Sequence, residues 1–197
     1  MEKDNIQKML LDIGQKLVEE RGMEALTARK LSEASGCSVG AIYNQFSNMD
    51  NFVVILNYMT LDKLEKSLEA VKLTDDAHKD MNNLMSCFSD FVTQNKNLWF
   101  MLYNFYLRSD RKEYSHFYLR KVVRIVSIVN QILQRVLPTM VYPERILSSQ
   151  ILWLTMFALS PFLASDMINS TSKIESDKLC QIVLNTLVAG LTVLEKK

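Results

Sequence analysis

The sequence predicts an all-α fold, because apolar residues recur at helical spacing and helix-breaking residues are scarce. Only five glycines and three prolines occur among the 197 residues. No segment alternates apolar and polar residues as a half-buried strand does. The apolar face of the first predicted helix, at the spacing of an amphipathic helix, consists of Ile6, Met9, Leu10, Ile13 and Leu17.

Three helices are predicted in the first fifty residues. Thr27 is placed to cap the second helix and Ser38 to cap the third, since Ser and Thr side chains accept hydrogen bonds from the first turn of a helix. Gly36 lies between these two helices and supplies the backbone freedom of a tight turn. Ile42 and Phe46 are expected on the inner side of the third helix.

A longer set of helices is predicted after this head. The segment from Ser47 to Asp50 has the form of a capping box and is expected to open a long connecting helix. Four or five further helices are expected near residues 77–95, 97–108, 112–137, 143–168 and 174–196. The predicted architecture is an N-terminal three-helix head of residues 1–50, joined by the connecting helix to a larger C-terminal helical body, with residues 51–197 as the second domain.

The segment from Leu31 to Gly40 fits a helix-turn-helix, in which the second helix enters the major groove of DNA. Gly40 and Ala41 are small at the tip of that helix, so the backbone can approach a base edge or a phosphate. Tyr43 and Asn44 follow with hydrogen-bonding groups. The motif therefore indicates a DNA-reading surface.

The run TARKLSEASGCSVGAIYNQF, from Thr27 to Phe46, resembles the DNA-binding signature of tetracycline-repressor-type (TetR-family) regulators. The resemblance extends over about residues 6–55. It implies an all-α homodimer with a divergent body that binds an inducer, and usually the repression of nearby genes. Two positions depart from the family pattern: Ala41 stands where the family often has Thr, and Met49 stands where it commonly has Lys.

The resemblance also implies residue roles in DNA binding. The implied contacts to the DNA backbone are Thr27, Arg29, Lys30, Ser38 and Tyr43. The residues implied to face bases are Val39, Ala41 and Asn44, with Gly40 permitting the close approach. The alternatives are that Tyr43 is a half-buried packing aromatic and that Arg29 and Lys30 are ordinary solvated charges.

Bulk charge argues mildly against a strong DNA binder. The chain has a net charge of +1, and residues 1–52 carry six basic and eight acidic residues, a net of −2. Nucleic-acid-binding domains usually carry a basic excess. Any DNA affinity must therefore come from local placement of charge, and we expect modest non-specific affinity.

An aromatic segment from Leu98 to Leu107 is apolar on every side, which predicts a central helix. Buried Trp and Tyr need partners for their polar atoms, so this helix is a candidate wall of a ligand pocket. The candidate ligand-binding residues are Trp99, Tyr103, Tyr106 and, as a further contributor, His116. A plain core helix and a solvent-edge histidine are the alternatives.

The last two predicted helices carry apolar stripes that are compatible with the four-helix dimer interface implied by the resemblance. The candidate interface residues are Leu154, Phe157, Ala158, Ile182, Val183, Thr186, Leu187, Gly190 and Leu191. Gly190 would allow two helices to approach closely. Packing within the monomer alone is the alternative.

Other functional classes find little support in the sequence. Cys37, Cys87 and Cys180 are far apart, which indicates neither a disulfide framework nor a zinc site. Two isolated histidines do not form a metal set, so no metal or cofactor is expected. The absence of a nucleophile–base pair and of a phosphate loop argues against an enzyme.

A cytoplasmic location is expected, because the first residues lack a basic-then-apolar signal segment. The apolar stretch from Ile151 to Ala164 is shorter than the ~20 residues of a membrane span. A buried core helix is the better interpretation of this stretch, and no membrane association is expected.

The sequence thus predicts a homodimeric regulator that binds double-stranded operator DNA. Its expected role is repression, relieved by a small hydrophobic or aromatic inducer. The alternatives are control by a protein partner, regulation without a ligand, an enzyme with an aromatic-lined site, and a helix-turn-helix used only as an interaction scaffold.

Overall fold

A computed structural model describes residues 2–107, 116–165 and 176–195 of the chain. The described residues form helices and no strands, which confirms the all-α prediction. The helices are α1 (Glu2–Arg21), α2 (Ala28–Ser35), α3 (Val39–Phe46), α4 (Met49–Glu69), α5 (Ala77–Gln94), α6 (Lys96–Leu107), α7 (His116–Val136), α8 (Tyr142–Ala164) and α9 (Ser176–Glu195), with a 3-10 turn at Met23–Ala25 after α1.

The start of the connecting helix α4 differs from the predicted capping box. Asn48 is the capping residue, since its Oδ1 accepts a hydrogen bond from the backbone N–H of Asn51 at 2.7 Å. Ser47 instead ends α3, with a φ of 66° that turns the chain out of that helix. The prediction that Ser47 caps α4 was wrong, because the backbone of Ser47 has the positive φ that ends α3.

The helices pack into two compact units. The first draws on Met1–Asp62 and Asn95–Glu113, and the second on Lys63–Gln94 and Tyr114–Lys197, so α4 contributes to both. The predicted division of the chain into residues 1–50 and 51–197 differs from these two units, because α6 packs with the head. Leu98 and Met101 of α6 are fully buried in the head's own hydrophobic core, and the Asn97 side chain donates a hydrogen bond to the Glu19 carbonyl at 2.8 Å.

Phe52 is the central side chain of the first unit. Its ring is fully buried and packs edge-on against Phe46 of α3, with ring centroids 4.6 Å apart. It also lies over Gly14 of α1, so closely that a Cβ at Gly14 would come within 2.5 Å of the ring. A glycine in a helix interior costs ~1 kcal/mol relative to alanine. Here the glycine makes room for Phe52, so one aromatic ring joins α1, α3 and α4.

The second unit is a bundle of α5, α7, α8 and α9 joined by the C-terminal part of α4. Glu65 of α4 is buried and forms an ion pair with the equally buried Lys121 of α7, and Arg124 lies 3.6 Å from the same carboxylate. Removing one partner of such a buried pair leaves an uncompensated charge, which is strongly destabilising. This pair therefore ties α4 to α7.

A second buried carboxylate, that of Asp80, connects α5 to α7. Its oxygens accept hydrogen bonds from the Thr74 backbone and hydroxyl and from Arg135. Burial alone raises the pKa of this carboxyl, but the hydrogen bonds from Arg135 and Thr74 outweigh that effect and hold the pKa below its ordinary value.

Helix α8 is the candidate for a membrane span among the described helices, by length and composition only. Much of one side of α8 is buried in the second unit, including Leu152, Trp153 and Met156. This side packs into the core of the unit, as the sequence predicts for the stretch from Ile151 to Ala164, whereas Ile151, Leu154 and Phe162 of the same stretch are exposed.

Replacing Gly14 with alanine is expected to destabilise the protein by about 1–3 kcal/mol, because the added methyl group overpacks a rigid, enclosed ring. Chemical denaturation measures the change. The same substitution in a Phe52→Leu background should be tolerated better, because the smaller side chain leaves space for the methyl group. A stabilising effect of Gly14→Ala in the wild-type background would contradict this packing.

Asp80 is also expected to make stability pH-dependent. Because folding lowers the pKa of Asp80, the ionised carboxylate contributes to the free energy of unfolding above the ordinary pKa of 3.8. This contribution is lost as the pH falls through the pKa of the folded state. The stability difference between the wild type and Asp80→Asn should therefore shrink in acid. Thermal melts between neutral pH and acid measure it, with Asp75→Asn as the control at an exposed position. A difference that is constant with pH would contradict the assignment.

Candidate nucleic-acid interface

The turn between α2 and α3 is fixed by short-range hydrogen bonds. The Thr27 hydroxyl accepts from the Lys30 N–H at 3.2 Å, and the Ser38 hydroxyl accepts from the Ala41 N–H at 3.2 Å, which confirms both predicted caps. Gly36 ends α2 in the left-handed region, with a φ of 71°. These interactions set the direction in which α3 leaves the turn.

Two serines of α2 add hydrogen bonds to the turn that sequence reasoning missed. The Ser32 hydroxyl donates to the Cys37 carbonyl at 2.6 Å, and the Ser35 hydroxyl accepts from the Cys37 N–H at 3.2 Å. The Cys37 side chain is half-buried against the core of the first unit. Serines two to five residues from a turn are a common source of such bonds, and this signal was available in the sequence.

Helix α3 has an anchored side and an open side. Ile42 and Phe46 are buried in the core, as the sequence predicts. The exposed side is formed by Val39, Gly40, Tyr43 and Asn44, while Ala41 is half-buried. The Tyr43 side chain is 42% exposed. A rigid helix thus presents hydrogen-bonding groups and a small-residue tip on one surface.

Helix α2 places cationic groups beside this surface. Lys30 and Arg29 are both exposed, and so is Thr27 at the start of the helix. Arg29 forms an ion pair with Glu33 one turn later, with a distance of 3.0 Å between Nε and Oε1. An exposed pair of this kind contributes less than ~1 kcal/mol. The guanidinium can therefore exchange the carboxylate for a DNA phosphate at small cost.

The candidate ligand residues lie mainly on α6, in the first unit. Trp99 is fully buried, Tyr103 is half-buried and Tyr106 is exposed. Trp99 is consequently a core residue of this unit, in agreement with the core-helix alternative. The side chain of His116, at the start of α7, lies outside the described residues.

The candidate interface residues divide into exposed and buried groups within the second unit. The exposed ones are Leu154, Ala158, Ile182, Thr186 and Gly190, while Val183 and Leu187 are half-buried. Phe157 and Leu191 face the core of the unit and are buried, so they were wrongly included in an intersubunit surface. Periodicity did not separate the two sides because both sides of these helices are apolar.

Comparison with known proteins agrees with this geometry. Residues 10–54 match the family model of bacterial regulatory proteins, tetR family. The fold is similar to that of a TetR-family transcriptional regulator, PfmR, from Thermus thermophilus, with 16% identity, a TM-score of 0.64, and coverage of 91% of this chain and 97% of that one.

Two further solved structures share the fold. Apo ActR from Streptomyces coelicolor has 13% identity and a TM-score of 0.64, with 96% of each chain covered. A putative transcriptional regulator from Pseudomonas aeruginosa has 12% identity and a TM-score of 0.72, with coverage of 98% of this chain and 93% of that one. No curated protein matches the sequence at a significant level.

An all-helical chain with this head is a DNA-binding transcriptional regulator of the helix-turn-helix class. Within that class, the head of residues 10–54 matches the model of the tetR family, and the described part of the chain shares the fold of solved TetR-family regulators.

Proposed function

We propose that the protein is a homodimeric repressor that a small hydrophobic or aromatic molecule releases from its operator. The observation that carries the DNA-reading part is the open side of α3, where Val39, Gly40, Tyr43 and Asn44 are exposed together. The opposite side is held by the buried Ile42 and Phe46. Such a helix can enter a major groove without deforming.

Two kinds of DNA contact follow from the chemistry of these side chains. The Asn44 amide has one acceptor and two donor hydrogens, which suits a bidentate pair with adenine. Val39 and Ala41 offer apolar contact to a thymine methyl group. The hydroxyls of Thr27, Ser38 and Tyr43 and the charges of Arg29 and Lys30 suit phosphates, which position the protein without reading sequence.

The second unit has an exposed apolar surface that supports the proposed dimer. On α8 the exposed side chains are Leu147, Ile151, Leu154 and Phe162, and on the adjoining α9 they are Ile182 and Val193. Contiguous apolar surface of this kind marks an interaction site. A second copy of the chain is the proposed partner.

Induction is proposed to act through the spacing of the two heads. A dimer reads half-sites about 34–36 Å apart, one helical turn of DNA. A molecule that binds more tightly to a state with another spacing shifts the population away from DNA. Trp99, Tyr103 and Tyr106, with His116, are proposed to contribute to its binding.

Lys30→Ala should flatten the salt dependence of DNA binding, lowering the slope of log affinity against log salt by about 1 for one lost phosphate contact. Tyr43→Phe should weaken binding to operator and scrambled DNA equally and leave the slope intact, because the hydroxyl is uncharged. Fluorescence anisotropy over a salt series measures both, with Lys178→Ala as a control in the second unit. An unchanged slope for Lys30→Ala would remove it from the phosphate contacts.

Asn44→Ala should cost roughly 1–3 kcal/mol on the operator and much less on scrambled DNA, because a base contact is lost. Anisotropy titrations of both duplexes measure the difference. Equal losses on the two duplexes would exclude base reading by Asn44.

Gly190→Leu should disrupt the dimer without harming the protomer. Gly190 is exposed, and a Cβ there would meet nothing within 4 Å, so leucine fits within the protomer. At a helix–helix interface between subunits, the same side chain would force the helices apart. Sedimentation velocity measures the oligomeric state. Gln181→Leu is the control, since Gln181 is exposed and nine residues away, on the opposite side of α9. A stable dimer of Gly190→Leu would exclude this surface.

An inducer should change the fluorescence of Trp99 in a Trp153→Phe background. At 100 times its dissociation constant, a molecule that binds only DNA-free protein opposes DNA binding by about 2.7 kcal/mol, close to a hundredfold. A screen of small aromatic compounds with anisotropy as the readout provides candidates. Operator release without any change in Trp99 emission would exclude the α6 aromatic residues as the site.

A further inference from the structure

The side chain of Asn57, in the part of α4 that belongs to the first unit, is buried without a hydrogen-bond partner. Its exposed fraction is 0%, and neither its Oδ1 nor its Nδ2 has a partner within the part of the chain that the structure describes. A buried amide in this state has lost the hydration that it has in the unfolded chain, which costs stability. The large majority of buried side-chain polar atoms in proteins do have a partner. Asn57 therefore indicates a site for a polar group.

Thr60 lies one turn after Asn57 on the same side of α4, where side chains three residues apart are neighbours. Thr60 is also buried, and its hydroxyl donates a hydrogen bond to the Leu56 carbonyl at 3.0 Å. Because this bond uses the single hydrogen of the hydroxyl, the Thr60 Oγ1 atom is left as an acceptor. Two neighbouring buried side chains thus provide an amide nitrogen, an amide oxygen and a hydroxyl oxygen.

The chemistry of these three atoms defines the group that fits beside them. The Asn57 Nδ2 atom offers hydrogens to an acceptor, whereas Asn57 Oδ1 and Thr60 Oγ1 need a donor. A matching group must therefore accept and donate at once, as water, a hydroxyl or a primary amide does. A carboxylate has no hydrogen to donate, and an ammonium group has no lone pair to accept with. Burial also disfavours any ion, because an ion would give up its hydration there.

We propose that Asn57 and Thr60 form a buried binding site on α4 for one small neutral group that both accepts and donates hydrogen bonds. The group accepts from Asn57 Nδ2 and donates to Thr60 Oγ1 or Asn57 Oδ1. Its source is an internal water molecule, or the hydroxyl or amide of a small organic molecule. Buried waters usually have about two to four polar partners, and this site offers three. The site is separate from the proposed inducer contacts on α6.

A double-mutant cycle in the full chain without DNA tests whether one group bridges the two side chains. Thr60→Val removes the acceptor and keeps the shape, so we expect it to lower the midpoint of urea unfolding in the wild-type background. In the Asn57→Leu background the same change should leave the midpoint unchanged or raise it, because an apolar pair needs no bridging group.

Thr192→Val is the matched control for this cycle. The Thr192 hydroxyl also donates to the carbonyl four residues before it, that of Val188, at 2.9 Å. The control therefore loses the same kind of bond in α9, far along the chain from Asn57. Its effect on the midpoint should be the same in the wild-type and Asn57→Leu backgrounds, since residues without a shared partner contribute additively.

NMR signals of the Asn57 side-chain NH2 group identify the source of the bound group. An internal water should give cross-relaxation between water and these hydrogens in protein without additives, and Thr60→Val should weaken it. An organic group should instead be replaced by the probe acetamide, which would shift the same signals saturably and raise the unfolding midpoint. Acetate, the matched anion, should do neither. The rise with acetamide should be absent in Asn57→Leu.

Either source supports the site. The proposal is overturned if the Asn57 hydrogens show neither cross-relaxation with water nor a saturable response to acetamide, or if acetate acts as acetamide does. An equal effect of Thr60→Val in the two backgrounds would also overturn it. If Asn57→Leu fails to fold, the NMR comparison of the wild type with Thr60→Val still decides. These measurements use no DNA, so failure of the site and failure of the proposed function are observed separately.

Discussion

The packing of Phe52 is the constraint on which the head depends. Its ring fills the space that Gly14 leaves open on α1 and contacts Phe46 at the end of α3. Three helices are thereby held by one enclosed side chain, and a protein interior of crystalline packing density offers it little room to move. The orientation of α3 follows from this contact as much as from the turn before it. A functional surface is thus set by a residue that does not reach that surface.

The turn between α2 and α3 complements this packing with local hydrogen bonds. Caps from Thr27 and Ser38 satisfy helix N-terminal donors, and Gly36 supplies the left-handed backbone. The result is a rigid α3 that presents Tyr43 and Asn44 to solvent. Because the head carries no basic excess, the proposed DNA recognition would depend more on its shape and hydrogen-bonding groups than on bulk charge.

Local features of the fold were predictable, whereas tertiary ones were not. Apolar periodicity and capping residues gave the helices and the helix-turn-helix, since both depend on neighbours in sequence. The choice of Asn48 over Ser47 as a cap depended on the backbone leaving α3, which spacing alone does not reveal. The burial of Phe157 and the packing of α6 with the head arise from contacts between distant segments. The presence of a glycine at position 14 is explained only by the Phe52 ring, which leaves no room there for a Cβ atom.

Selection of binding sites from randomised duplex DNA by the purified chain tests the central claim most directly, namely that α3 of a symmetric dimer reads specific bases. The account predicts enrichment of a palindromic sequence with half-site centres about 10–10.5 base pairs apart, or a multiple of this spacing. Recovery of no enriched sequence, or of a single asymmetric site bound by one copy of the chain, would contradict it.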